Sequence, residues 1–146
     1  MENEPVVLDT DTLSELSRGH PVVRERARAY LESFGRLTIT SVTVFERLRG
    51  YRLAIRDGKP FQRQLQAFEA LVASSFILPF DQEAASVAAE LWASVTRSQR
   101  QHLGDILIAA IAVARQLPLV TRNRRDFERI SQPSGVNLRL LDWSRK

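Results

Sequence analysis

The stretch GDILIAAIAVARQL, residues 104–117, sets the strictest condition on the fold. From residue 106 to 114 it is apolar on nearly every side of a helix, so it must be covered all round rather than along one stripe. Short runs rich in Val, Ile and Leu supply the cover. Residues 6–8, 37–41 (LTITS), 76–80 (FILPF), 118–121 (PLVT) and 138–143 (LRLLDW) read as strands. Helical patterns fill the gaps: a short one at 12–18; 21–34, with Pro21 in its first turn and Val23, Ala27, Tyr30, Leu31 and Phe34 on one face; and 41–56 and 60–74, hinged at DGKP. The second arm of that hairpin carries an apolar stripe, Leu65, Phe68, Leu71 and Val72, which has no need to be satisfied wholly within the chain. Residues 81–98 form a further helix, capped by Asp81 and striped by Ala84, Val87, Ala88, Leu91 and Val95. Trp92, beside that stripe, and Trp143, at a strand end, read as core. Alternating strands and helices predict an α/β fold, one domain over 1–146 with a central parallel sheet of about five strands flanked by helices.

Composition narrows the chemistry. A chain with 44% hydrophobic and 26% charged residues is ordinary for a folded domain. It has no cysteine, which excludes disulfides, a CxxC zinc site and a thiol nucleophile, and two histidines alone cannot build a structural zinc site. The start, MENEP, lacks the pattern of a signal peptide, and no segment reaches the length of a membrane span, so a cytoplasmic protein without a membrane partner is expected. The net charge is +4, and every basic residue except Lys59 and Lys146 is arginine. Guanidinium forks pair with phosphates, which suits nucleic acid, although a compositional bias accounts equally well for the arginine excess taken alone.

In open α/β sheets, ligands bind beyond the carboxyl ends of the strands. Asp9, with Asp11 close by, ends the first strand; Glu46 lies early in the helix after LTITS; Asp105 opens the buried helix; and Asn123 and Asp126 follow the fourth strand. Each has a local alternative. Asp9 or Asp11 can cap the helix at Thr12, Glu46 can be a solvated neighbour of Arg49, and Asp105 and Asp126 suit helix amino ends. Gathered at one edge, however, they repel unless a cation holds them. Oxygen ligands without His or Cys point to Mg2+ or Mn2+, and a pair of such ions about 3.5 to 4 Å apart suits in-line displacement at phosphorus.

The segments VVLDTDTLSEL, TITSVTVFERLRG, FILPFDQEAASVAAELW and GDILIAAIAVARQLPLVTRNRRDFERI together resemble, over nearly the whole chain, a PIN-domain protein of the VapC toxin type. The resemblance implies a PIN fold, Mg2+- or Mn2+-dependent cleavage of RNA, homodimerisation and inhibition by a small antitoxin encoded beside it. By motif it carries the metal-binding acids over to Asp9, Glu46 and Asp105. Two positions depart from the pattern. Asp11 stands where the family usually has asparagine, and Asn123 stands at the family's fourth acidic place, two residues after Thr121, with Asp126 near enough to contribute. Thr121 and Ser41 are candidates to position substrate or water. Arg47, Arg49, Arg122, Arg124 and Arg125 are candidates to hold flanking phosphates.

Two rival readings remain at this point. The DxD opening also resembles haloacid-dehalogenase-type phosphatases, in which Asp9 would be the nucleophile and Asp11 the acid and base, although the later lysine and paired aspartates of that family have no counterpart here. The other is a catalytically silent RNA-binding PIN module. His20 and His102 carry no assignment.

Overall fold

The computed structural model describes residues 4–146. Strand β1 (Val7–Leu8) runs parallel to β4 (Leu119–Val120), Val7 opposite Leu119, and β4 is parallel on its other side to β5 (Leu140–Leu141). Strand β2 (Thr38–Thr40) pairs in parallel with β3 (Phe76–Leu78). Because β1 lies beside β2, the five strands follow the order β3-β2-β1-β4-β5. The expected single sheet is therefore two ladders, with the hydrogen bonding interrupted between β2 and β1. One cause is visible at that edge. The Val6 N–H, which would begin the ladder, is taken by the buried Tyr30 hydroxyl at 3.1 Å.

Side chains of the central strands alternate between two apolar layers, as a pleated strand requires. Val7 and Leu119 join the layer built by α5 (Gln82–Ser94), α6 (Leu103–Ala114) and α7 (Arg124–Ser131). Val6, Leu8 and Val120 join the opposite layer with α1 (Thr10–Ser17), α2 (Pro21–Phe34), and the hairpin of α3 (Ser41–Arg56) and α4 (Gln62–Ala73). As its composition demands, α6 is enclosed: Ile106, Ile108, Ala109, Ala110, Ile111 and Ala112 are all buried, and its alanines let α5 pack closely along it. Among the described residues no helix is long and apolar enough to cross a membrane.

Several expectations need correction. Helix α1 starts at Thr10 and α6 at Leu103, each two residues before the acid or threonine expected to open it. Helix α5 stops at Ser94 instead of continuing to residue 98, because Thr96 and Gln99 exchange side-chain bonds with each other's backbone N–H, which competes with helix and leaves a 3-10 turn at Gln99–Gln101. Trp92 is not core. It is 39% exposed, with the Arg100 guanidinium over its ring, whereas Trp143 is buried as expected. The α4 stripe is not left open either: Phe68 is buried and Leu71 and Val72 pack on the second layer. Leu31, expected on the inner face of α2, is instead exposed.

Candidate active site

Asp9 ends β1 and is the N-cap of α1, its Oδ1 accepting the Thr12 N–H at 2.7 Å. Capping and site-building are thus the same placement. The carboxylate is 3% exposed, and burial pushes its pKa up to about 6 although Thr121 and Thr12 hydrogen-bond to it. The Thr12 hydroxyl also reaches the Val120 carbonyl at 3.2 Å, joining α1 to the end of β4.

Glu46 comes from α3, which begins directly after β2 because Thr40 caps it through the Thr43 N–H at 3.1 Å. Its Oε1 accepts the Thr10 hydroxyl at 3.0 Å, and Thr10 and Thr43 are hydroxyl to hydroxyl at 3.0 Å. Its Oε2 lies over Gly104, where a methyl group would overlap it. Gly104 precedes Asp105, the third residue of α6, so the two acids meet at that helix's amino end. Burial raises the Asp105 pKa to about 6, followed by the charges of Asp9, Asp11 and Glu46, while His102 acts in the opposite sense. A groove of about 400 Å³ opens beside them, lined by Glu46, Asp105, Phe45, Arg49 and His102 among others.

The remaining expected residues divide. Asn123 donates its side-chain amide to the Asp11 carboxylate, and its backbone N–H is held by Thr121 Oγ1 at 2.9 Å, so Asp11, Asn123 and Thr121 stand together beside Asp9. Asp126 is exposed on the first turn of α7 and lines two hollows, one with Gln99, His102 and Arg129 and one with Arg122 and Asn123; it is not among the leading charges acting on Asp105. Ser41 Oγ accepts the Phe80 N–H at 3.1 Å, a fastening between the segments after β2 and β3. Arg47 is engaged within the fold, bonded to Ser14 Oγ and Tyr51 OH at 2.6 Å each and lying over the Tyr51 and Phe68 rings. Arg49 lies over Phe45 at the groove. Arg122 pairs at 2.7 Å with Glu15, whose carboxylate is buried; Arg124 is 4.0 Å from Glu128; and Arg125 is exposed beside both.

Thr10, Thr43, Gly104 and Glu15 were not singled out from the sequence. The threonines that follow β1, β2 and β4 are the one sequence signal for the first two.

The donors suit a hard divalent cation: three carboxylates from three elements, with neighbouring charges that raise the proton affinity of Asp105. Among the described residues no three His, Cys, Asp or Glu side chains are gathered closely enough to enclose an ion as they stand. The fit is therefore one of charge and donor type.

Comparison with known proteins agrees with this layout. Residues 6–133 match the model of the PIN domain. A relative in Shigella flexneri, named tRNA(fMet)-specific endonuclease VapC, is 33% identical over 141 residues, 94% of this chain and 97% of its own. The DNA-bound VapBC structure from Salmonella typhimurium is similar with a TM-score of 0.73 and 28% identity, covering 95% of this chain and 98% of that one. VapBC-1 from nontypeable Haemophilus influenzae, at 21% identity, shares the fold with a TM-score of 0.71 over 97% of this chain and all of that one. The chain belongs to the PIN-domain family, among its VapC members.

Proposed function

We propose that the protein is a metal-dependent endoribonuclease, the toxin half of a type II toxin–antitoxin pair. The observation that carries the reading is the placement of Asp9, Glu46 and Asp105, from the end of β1, α3 and α6, within reach of one another's charge, where burial and like charge raise the proton affinity of Asp105 and, among the described residues, no basic side chain bonds to any of the three. Such a cluster is stable at neutral pH only when it is protonated or shares a cation. The name of the Shigella relative, an endonuclease acting on tRNA(fMet), supports RNA as the substrate class.

Asp9, Glu46 and Asp105 would hold Mg2+ or Mn2+. When bound, the cation supplies the positive charge that acidifies a water and offsets charge at the scissile phosphate. The protein's share is positioning. Thr121 and Thr12 fix Asp9, Thr10 fixes Glu46, and the buried body of α6 fixes Asp105. Arg49 in the groove, with Arg122, Arg124 and Arg125 along the neighbouring edge, would bind flanking phosphates. Attack in line leaves a 5′-phosphate on one product and a 3′-hydroxyl on the other.

The VapBC assembly from Salmonella typhimurium supports a small antitoxin as partner, with a homodimer or toxin–antitoxin hetero-oligomer as the working form; the compartment in this reading is the cytoplasm. The purified protein should cleave RNA with Mg2+ or Mn2+, stop in EDTA and resume when the ion is restored. Cleavage that persists in the chelator overturns the metal mechanism, and a phosphoryl adduct trapped on Asp9 favours the phosphatase rival.

A further inference from the structure

Arg47, Gly50 and Tyr51 recur at the spacing of one face of α3, beside Glu46. A cation and a glycine are poor material for a face that packs. With Lys59 and Phe61, from the turn into α4, they and Glu46 line a hollow of about 300 Å³. Glu46 also lines the groove that holds Asp105, so the two spaces share it as a wall. We propose that this hollow is a subsite for one nucleotide of the RNA beside the scissile bond, with its phosphate paired to Lys59 in the field of Arg47 and its base laid on Gly50 against Tyr51 and Phe61.

The leading observation is the state of Arg47. Its guanidinium is fixed by two neutral groups, Ser14 Oγ and Tyr51 OH, and lies over the Tyr51 and Phe68 rings, while its Nε is buried with no hydrogen bond among the described residues. The acid on the same wall does not neutralise it, because Glu46 turns one oxygen to Thr10 and the other over Gly104. A half-buried cation without a counter-ion is costly until an anion completes it. Lys59, exposed at the hollow, adds a second cation on a flexible stem. Gly50 points to the same ligand from the backbone. It lies inside a helix without a positive φ, and a methyl group there would meet nothing within 4 Å, so neither conformation nor packing requires a glycine. Glycine weakens a helix interior, and what it offers here is bare backbone for a flat group to approach. The wall is aromatic: the Tyr51 and Phe61 rings stand 6.4 Å apart, tilted by 36°, and bases of any sequence stack on such faces. An acidic peptide would satisfy the cations but leave the bare floor and the aromatic wall unused.

The inference rests on the endoribonuclease reading, so cleavage by the wild-type chain with Mg2+ is the control for that reading. Binding of a labelled single-stranded oligoribonucleotide of mixed sequence is followed by fluorescence anisotropy in EDTA for wild type, Gly50→Leu and Lys59→Gln, with poly-glutamate as a competing acidic chain. Both positions are exposed, and thermal melts check that the variants fold. Gly50→Leu covers the floor of the hollow and should weaken RNA binding about fivefold or more without changing its salt dependence. Lys59→Gln should weaken binding and lower the slope of log affinity against log salt by about 0.7, the loss of one phosphate contact. With Mg2+, each variant should raise KM by the factor seen in binding and leave kcat unchanged. If folded Gly50→Leu binds RNA as wild type does, or if Lys59→Gln keeps the wild-type slope, the subsite is overturned while wild-type cleavage upholds the nuclease reading. If Gly50→Leu loses only its hold on poly-glutamate, the hollow takes an acidic peptide and the subsite is equally overturned. If the wild-type chain does not cut RNA, the nuclease reading falls and the subsite with it.

Discussion

Gly104 has an ordinary helical backbone, so its lack of a side chain serves its neighbour: Glu46 Oε2 occupies the space a methyl group would need. Gly104→Ala favours the helix by about 1 kcal/mol in propensity and displaces only the flexible end of Glu46. The expected outcome is an unchanged or slightly higher melting temperature with RNA cleavage reduced about tenfold or more, checked by a melt and a cleavage assay on the same sample. Wild-type cleavage by the folded variant would show that the Glu46 position is immaterial. These acids stand out in the sequence as candidates, since Asp9 and Asp105 are charges at a strand end and a helix start and Glu46 lies in the second turn of the helix after β2. Gly104 does not, because its reason lies on another helix. Nor does the opposition of Asp11 and Asn123, which only the parallel pairing of β1 with β4 creates.

Three consecutive residues after β4 stitch that loop to α1 and its cap: Thr121 to Asp9, Arg122 to Glu15 and Asn123 to Asp11. The middle stitch secures the other two. One Glu15 oxygen bonds Arg122, and the other is buried with no hydrogen bond among the described residues, with His20 Nε2 at 3.8 Å. Arg122→Ala would leave that carboxylate without its main partner, and a buried unpaired charge costs far more than an exposed pair contributes. A melting temperature several degrees lower is expected, whereas Arg125→Ala, at an exposed position, should melt as wild type does. Equal melting of the two variants would show the stitch to be slack. At this scale the sequence was informative where burial is extreme, as in α6, and misleading where a side chain decides an end. The Thr96 and Gln99 bonds that close α5, and the Tyr30 hydroxyl that interrupts the sheet, follow no hydrophobic period.

Across the molecule, the site works against the fold. Asp9 and Asp105 each have a pKa raised from 3.8 to about 6, with burial the leading cause in both. Between those values the folded, metal-free chain holds more protons than the unfolded chain. Their contribution to stability is therefore fully present below pH 3.8 and is lost as pH rises through about 6. Asp105→Asn removes one titrating group, so in EDTA at pH 7.5 the variant should be more stable than wild type by about 1 to 3 kcal/mol, and the gap should shrink near pH 4. Denaturant melts at the two pH values check it, and a gap independent of pH would remove the electrostatic account. The order of the strands has a different consequence, one of separation along the chain. Strand β4 holds β1 on one side and β5 on the other, and its register sets Leu119 opposite Val7, so Asp9 and Thr121 come together only once segments far apart in the chain have paired. A site that waits on so long a loop closure is assembled by the fold as a whole and by no local stretch of it.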